Sequence, residues 1–130
     1  MRPPLCCRIL DKDDLCPARI NKGNDMRVTK HAILELPENP KIVTIYFNGT
    51  PVEAIEGEPI AAALVNAGVK AFRRTPKHNE PRGIFCAIGR CTDCVMMVDG
   101  KANVRTCVTE VRDGMRVETQ YGNGDWRGTT

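Results

Sequence analysis

Aromatic residues are scarce in this chain, with three Phe, two Tyr and one Trp among 130 residues. Single-stranded nucleic acid is held on rows of aromatic platforms, and there is no such row here. The formal net charge of +3 is also too small to imply nucleic acid by itself. No run of about 18 apolar residues occurs, so no transmembrane segment is expected. The start, "MRPPLCCRILDKDDLC", carries an early charge but lacks the apolar stretch of about 7–15 residues that a secretory signal needs. Nucleotide-binding signatures are missing too: there is no P-loop and no G-x-G-x-x-G. The two histidines, His31 and His78, lie in polar surroundings and are expected to be exposed. Glu53 and Glu56 fall in a strand-like stretch and read as solvated edge residues. With no Ser/His/Asp arrangement and no defensible pair of catalytic carboxylates, a substrate-converting active site is not evident.

Cysteine is what the chain has in quantity. There are seven, an odd number that argues against a complete disulfide framework. Without a secretory signal the expected compartment is the cytoplasm, where thiols stay reduced and clustered cysteines read first as metal ligands or redox groups. Four lie within Gly83–Cys107, "GIFCAIGRCTDCVMMVDGKANVRTC". The other three, Cys6, Cys7 and Cys16, are scattered through a segment broken by Pro3, Pro4 and Pro17. Three without a fourth do not make a complete site, and they read as free thiols of an irregular arm.

The pattern sharpens after residue 40. "KIVTIYF" is β-branched and aromatic and ends in Asn48-Gly49, a strong hairpin signal; "TPVEAIEGE" returns as a second strand. Pro59 is expected as the first helical residue, "IAAALVNA" as the helix and Gly68 as its stop. Residues 70–82 contain two prolines and read as a loop. "VMMV" and "KANVRT" flank Asp99-Gly100 as a second hairpin, and "GMRVETQ" at 114–120 reads as a last short strand. Two hairpins around one helix, with a late strand, give an α+β chain of β-grasp order: a mixed sheet packed on one main helix. The expected organisation is an N-terminal arm at 1–35, one domain at 36–122 and a tail at 123–130, in which Trp126 packs down or meets a partner. Met26 is a possible alternative start.

Cys86, Cys91, Cys94 and Cys107 form C-x4-C-x2-C-x12-C. That run with a distant fourth cysteine is the plant-type spacing for a 2Fe–2S cluster. Two irons need four thiolates. One curled loop supplies three, and the hairpin at Asp99-Gly100 brings the chain back with the fourth. Gly89 lets the backbone pass close to such a group, and Ala87 and Thr92 suit the same need. Structural zinc prefers two C-x2-C knuckles, and Cys107 has no such partner. A 4Fe–4S ferredoxin would show C-x2-C-x2-C-x3-C followed by proline. A thioredoxin-like C-x-x-C would follow a βαβ pattern, and none precedes Cys91. Rieske ligation needs histidines at close spacing, and the loop has none. The basic residues Lys70, Arg73, Arg74, Lys77, Arg82 and Arg90 precede or enter the cysteine loop; they read either as a solvated face or as a docking surface for an acidic partner or a flavin phosphate.

"PRGIFC" at 81–86, the cysteine pattern, the "VDGK" turn, "RTCVT" at 105–109 and "GMRVETQ" together resemble the small 2Fe–2S subunits of multi-subunit, flavin-containing amine and amino-acid dehydrogenases. These include hydrogen cyanide synthase and the proline, hydroxyproline and opine dehydrogenases. The same residues are similar to the N-terminal domain of the heterotetrameric sarcosine oxidase large subunit. The resemblance covers roughly residues 41–120. It implies a ferredoxin-like β-grasp fold, a 2Fe–2S cluster, and a hetero-oligomer whose partner subunits carry FAD. The chain would then be a non-catalytic electron-transfer subunit, relaying electrons between flavin and an acceptor. An independent soluble ferredoxin and a structural module of an oxidase complex are the competing classes. The resemblance does not extend to Cys6, Cys7 or Cys16.

Overall fold

In the computed structural model, residues 27–28 and 30–124 are described. The expectations for Cys6, Cys7, Cys16, Met26 and Trp126 lie outside those residues. Strand β1 (Ile42–Phe47) and strand β2 (Thr50–Ile55) form an antiparallel hairpin. Asn48 and Gly49 join them with φ of 47° and 84°, the paired left-handed geometry that a two-residue hairpin turn requires. Helix α1 (Ile60–Asn66) follows. Strands β3 (Arg73–Arg74) and β4 (Pro81–Arg82) come next, then the cysteine loop. A second hairpin, β5 (Val95–Val98) and β6 (Lys101–Arg105), turns at Asp99 and Gly100 with φ of 49° and 78°. Strands β7 (Arg116–Glu118) and β8 (Gln120–Tyr121) complete the described chain.

The main sheet has the order β2-β1-β7-β5-β6. β7 runs parallel to β1 and antiparallel to β5, so it fastens the first hairpin to the second. β1 alternates inward and outward: Val43, Ile45 and Phe47 are buried, whereas Ile42 and Tyr46 are exposed. On the core side they meet α1, which buries Ile60, Ala61, Ala63 and Leu64. A seven-residue helix is too short to persist alone in water. It persists here through that packing, each large apolar side chain contributing roughly 1.5–3 kcal/mol on burial. This is the expected mixed α+β sheet on one helix.

Three local expectations need correction. Pro59 caps α1 instead of starting it: its ψ of 138° is extended, and no side chain closes the helix end. The first helical N–H groups are met by tertiary carbonyls, Ile60 N donating to Thr109 O (2.9 Å) and Ala61 N to Thr106 O (3.0 Å). Residues 70–82 are not merely a loop, because β3 and β4 lie within them. β3 pairs antiparallel with β4 and parallel with β8, making a second, three-stranded sheet. The expected last strand at 114–120 is accordingly split, β7 in the main sheet and the start of β8 in the small one.

Arg73 and Arg74 do not form part of an open basic face. Arg74 is 9% exposed and donates to Asn79 O at 2.9 Å. Arg73 faces Asp93 Oδ1 at 3.4 Å with a side chain 13% exposed. Lys70, Lys77, Arg82 and Arg90 remain exposed, as do His31, His78, Glu53 and Glu56.

Candidate metal centre

The four cysteines come from two segments. Cys86, Cys91 and Cys94 lie on the loop between β4 and β5, and Cys107 follows β6. The β5–β6 register pairs Val95 with Arg105, so the chain just before β5 and just after β6 run side by side. Thr106, fully buried, locks that junction: its Oγ1 donates to Cys94 O at 2.7 Å. Cys94 and Cys107 are buried, Cys86 and Cys91 half-buried, and all four are free thiols. Cys107 is within hydrogen-bonding reach of the Cys94 thiol and feels the charge of Cys86; Cys86 in turn hydrogen-bonds with the Cys91 thiol. The fold thus brings the two segments that carry the four residues singled out by spacing side by side.

The loop forms a cradle around Cys86. Its Sγ accepts from the backbone N–H groups of Ile88 (3.5 Å), Arg90 (3.3 Å) and Cys91 (3.3 Å). Successive N–H groups converge this way when left-handed residues interrupt the chain, and Ala87 and Gly89 have φ of 57° and 75°. The Cys91 N–H foremost, then that of Ile88, hold the Cys86 thiol down to about 6 from its ordinary 9.0. Burial and the Cys94 thiol push Cys107 up, while the Gly89 N–H partly opposes them. One corner is thus set to be anionic without any metal, whereas burial makes the inner corner harder to ionise.

Two arginines brace the C-x2-C segment. Arg105 Nε donates to Cys91 O at 3.0 Å, and Arg73 reaches Asp93 between Cys91 and Cys94. The sequence carries no signal for these ties: Arg73 reads only as part of the basic stretch, and Arg105 only as part of the "RTCVT" run. Gly83 was likewise unremarked; a Cβ there would sit 2.5 Å from Lys70 O, so only glycine lets the loop leave β4. Among the described residues, no three His, Cys, Asp or Glu side chains are gathered as a single metal ion requires. Four free thiols, with backbone N–H groups directed at the Cys86 sulfur, suit an iron–sulfur group.

A family model described as a 2Fe-2S iron-sulfur cluster binding domain matches residues 41–122. The chain belongs to this family. It is similar to hydrogen cyanide synthase subunit HcnA of Pseudomonas aeruginosa, at 40% identity over 64% of this chain and 79% of that one. The HcnA subunit of Pseudomonas protegens is 31% identical over 78% of this chain and 87% of the relative. A crystal structure of L-proline dehydrogenase from P. horikoshii superimposes with a TM-score of 0.57 at 32% identity, covering 73% of this chain but 19% of that one. Similarity to the sarcosine oxidase alpha subunit of Rhizobium meliloti, 31% identical, covers 57% of this chain and 8% of the relative. The same domain therefore occurs in short chains and inside much longer ones. No helix among the described residues is long and apolar enough to cross a membrane.

Proposed function

We propose that this chain is the electron-relay subunit of a multi-subunit, FAD-dependent amine or amino-acid dehydrogenase, with Cys86, Cys91, Cys94 and Cys107 as ligands of its 2Fe–2S cluster. The observation that carries the ligand set is the convergence of four free thiols from two segments, one already cradled by three N–H groups. Similarity to hydrogen cyanide synthase, proline dehydrogenase and sarcosine oxidase subunits supports the flavoprotein setting. When bound, the cluster supplies a one-electron couple. The chain's own residues fix its place: the N–H groups at Cys86 offset negative charge on sulfur, Thr106 holds Cys94 against Cys107, and Arg105 and Arg73 restrain the loop between them. The FAD and the amine pocket belong to partner subunits of a hetero-oligomer, and a cytoplasmic setting keeps the thiols reduced before assembly. The working unit is the domain at 36–122.

Serine substitution tests the ligand set. Cys94→Ser and Cys107→Ser should each abolish or shift the visible absorption and lower stability, because the site ties distant segments together. Wild-type visible spectra in both variants would refute the assignment.

A further inference from the structure

Large apolar side chains crowd the outer face of the cysteine loop. Phe85 is 81% exposed, Ile88 68%, Val108 55% and Ile84 42%. Each is next to, or two residues from, one of the four cysteines. They form one surface: a Cβ at Gly89 would stand 3.1 Å from Val108, so the Ile88–Gly89 turn lies against the residue after Cys107. Ile84 and Ala87 then line a cleft of about 410 Å³ with Ala61, Ala62, Val65 and Cys107, alongside Pro59, Asn66 and the Arg27–Glu58 ion pair. The apolar part of this surface thus runs from α1 along one side of the cleft and over the loop, with buried Cys107 among the lining residues. Single exposed apolar residues need no explanation, but a contiguous patch of this kind marks an interaction site.

Charge indicates what covers it. Arg90 lies in the loop itself, and Arg105 reaches it through Cys91 O. Among the described residues neither has a carboxylate partner, whereas the flanking Arg82 is paired with Glu80 and Arg73 with Asp93. A second copy of this chain would bring the same arginines against one another in a two-fold contact, which is repulsive. A partner with an apolar protrusion rimmed by carboxylates is complementary.

We propose that Phe85, Ile88, Val108 and the adjoining cleft are the docking surface for the flavin-carrying subunit, with Arg90 and Arg105 meeting carboxylates at its rim. This rests on the electron-relay reading, since the relay must bring its cysteine loop to the flavoprotein. It also narrows the basic stretch at 70–90 to its Arg90 end, because Arg73 and Arg74 are committed to internal contacts. In the long relatives, of which the match covers only 19% and 8%, the remaining chain is available to cover this face.

The test uses the full chain, tagged and expressed in its own cells with the partner subunits, and purified anaerobically. FAD per chain is measured by fluorescence after denaturation, and co-purifying subunits are identified by peptide mass. Phe85→Glu, Ile88→Glu and Val108→Glu should each lower bound FAD about tenfold, as substitutions at a binding hot spot do. Their iron and sulfide content per chain should stay at the wild-type value, since the Ile88 N–H that meets Cys86 Sγ is kept by the substitution. Arg90→Glu should lower FAD as well, and Glu53→Lys, on the opposite edge strand β2, should not. Three separate apolar positions keep the test decisive if one variant fails to load its cluster. Retention of wild-type FAD by the cluster-loaded patch variants would overturn the surface while leaving the relay reading standing. Loss of self-association alone, with FAD retained, would overturn it equally. A wild-type preparation that carries no flavoprotein at all would refute both.

Discussion

Alanine at Gly89 isolates what the cysteine loop asks of its backbone. Gly89 has φ of +75°, and its added Cβ would meet Val108 Cγ1 and Cγ2 at 3.1 and 3.2 Å. Left-handed geometry costs an L-residue roughly 1–2 kcal/mol. The close contact adds about 1 kcal/mol, at the low end for overpacking, because the half-exposed Val108 side chain can shift. Gly49 supplies the reference: its φ is +84°, and a Cβ there meets nothing within 4 Å. Gly49→Ala should therefore show the conformational cost alone. At about 4–8 °C per kcal/mol for a domain of this size, Gly89→Ala should melt several degrees below Gly49→Ala. The two variants should also differ optically. Gly89 N–H serves Cys107, so moving the loop alters the visible band and speeds cluster loss, whereas Gly49 lies in a remote hairpin. Thermal unfolding by circular dichroism and the decay of visible absorbance read both effects. Equal melting points with wild-type cluster lifetimes in both variants would refute the cradle as described.

In cluster-free protein, iodoacetamide at pH 7 should alkylate Cys86 well before Cys107. With a value of about 6 it is mostly thiolate there, while Cys107 is pushed above its ordinary 9.0. Because the folded value is depressed, the associated stability is present above the unfolded value near 9 and is lost as pH falls through about 6; equal labelling of the two cysteines would contradict this. Thr106→Val removes the buried donor to Cys94 O and should cost about 1–3 kcal/mol in unfolding free energy, with no loss expected from the exposed Thr92→Val. Arg74→Glu places a carboxylate beside Asn79 O in a buried position and should destabilise the chain by about 3 kcal/mol or more, whereas Arg90→Glu should leave the unfolding free energy within about 0.5 kcal/mol of wild type. Similar melting points for the two charge reversals would show that Arg74 is not an internal tie.

What could be read from the sequence was what local chemistry dictates. Asn48-Gly49 and Asp99-Gly100 announced both hairpins because few other pairs accept two consecutive positive φ angles. The strand alternation of β1 and the alanine-rich α1 follow from side-chain periodicity. Spacing alone singles out the four cysteines as candidates, and the returning β5–β6 hairpin explains how Cys107 comes back beside the loop. Contacts between distant residues were not legible. β3 and β4 are two residues each and owe their existence to β8, some 45 positions further on. Nothing in "KAFRRTPKHNEPR" distinguishes a buried Arg74 from an exposed Lys77; the three-stranded sheet decides it. Ala87 at φ 57° was equally hidden, because alanine carries no signal for a left-handed turn. The apolar rim around the loop appears only once burial elsewhere has been settled.

The central claim is that Cys86, Cys91, Cys94 and Cys107 together hold two irons and two sulfides. The most direct measurement is native mass spectrometry of the anaerobically purified chain, alone and after gentle release from its partners. The account predicts a mass gain over the cluster-free chain equal to two irons and two sulfides, lost in Cys94→Ser and Cys107→Ser. A gain equal to one zinc, or an unchanged two-iron adduct in both serine variants, would contradict it.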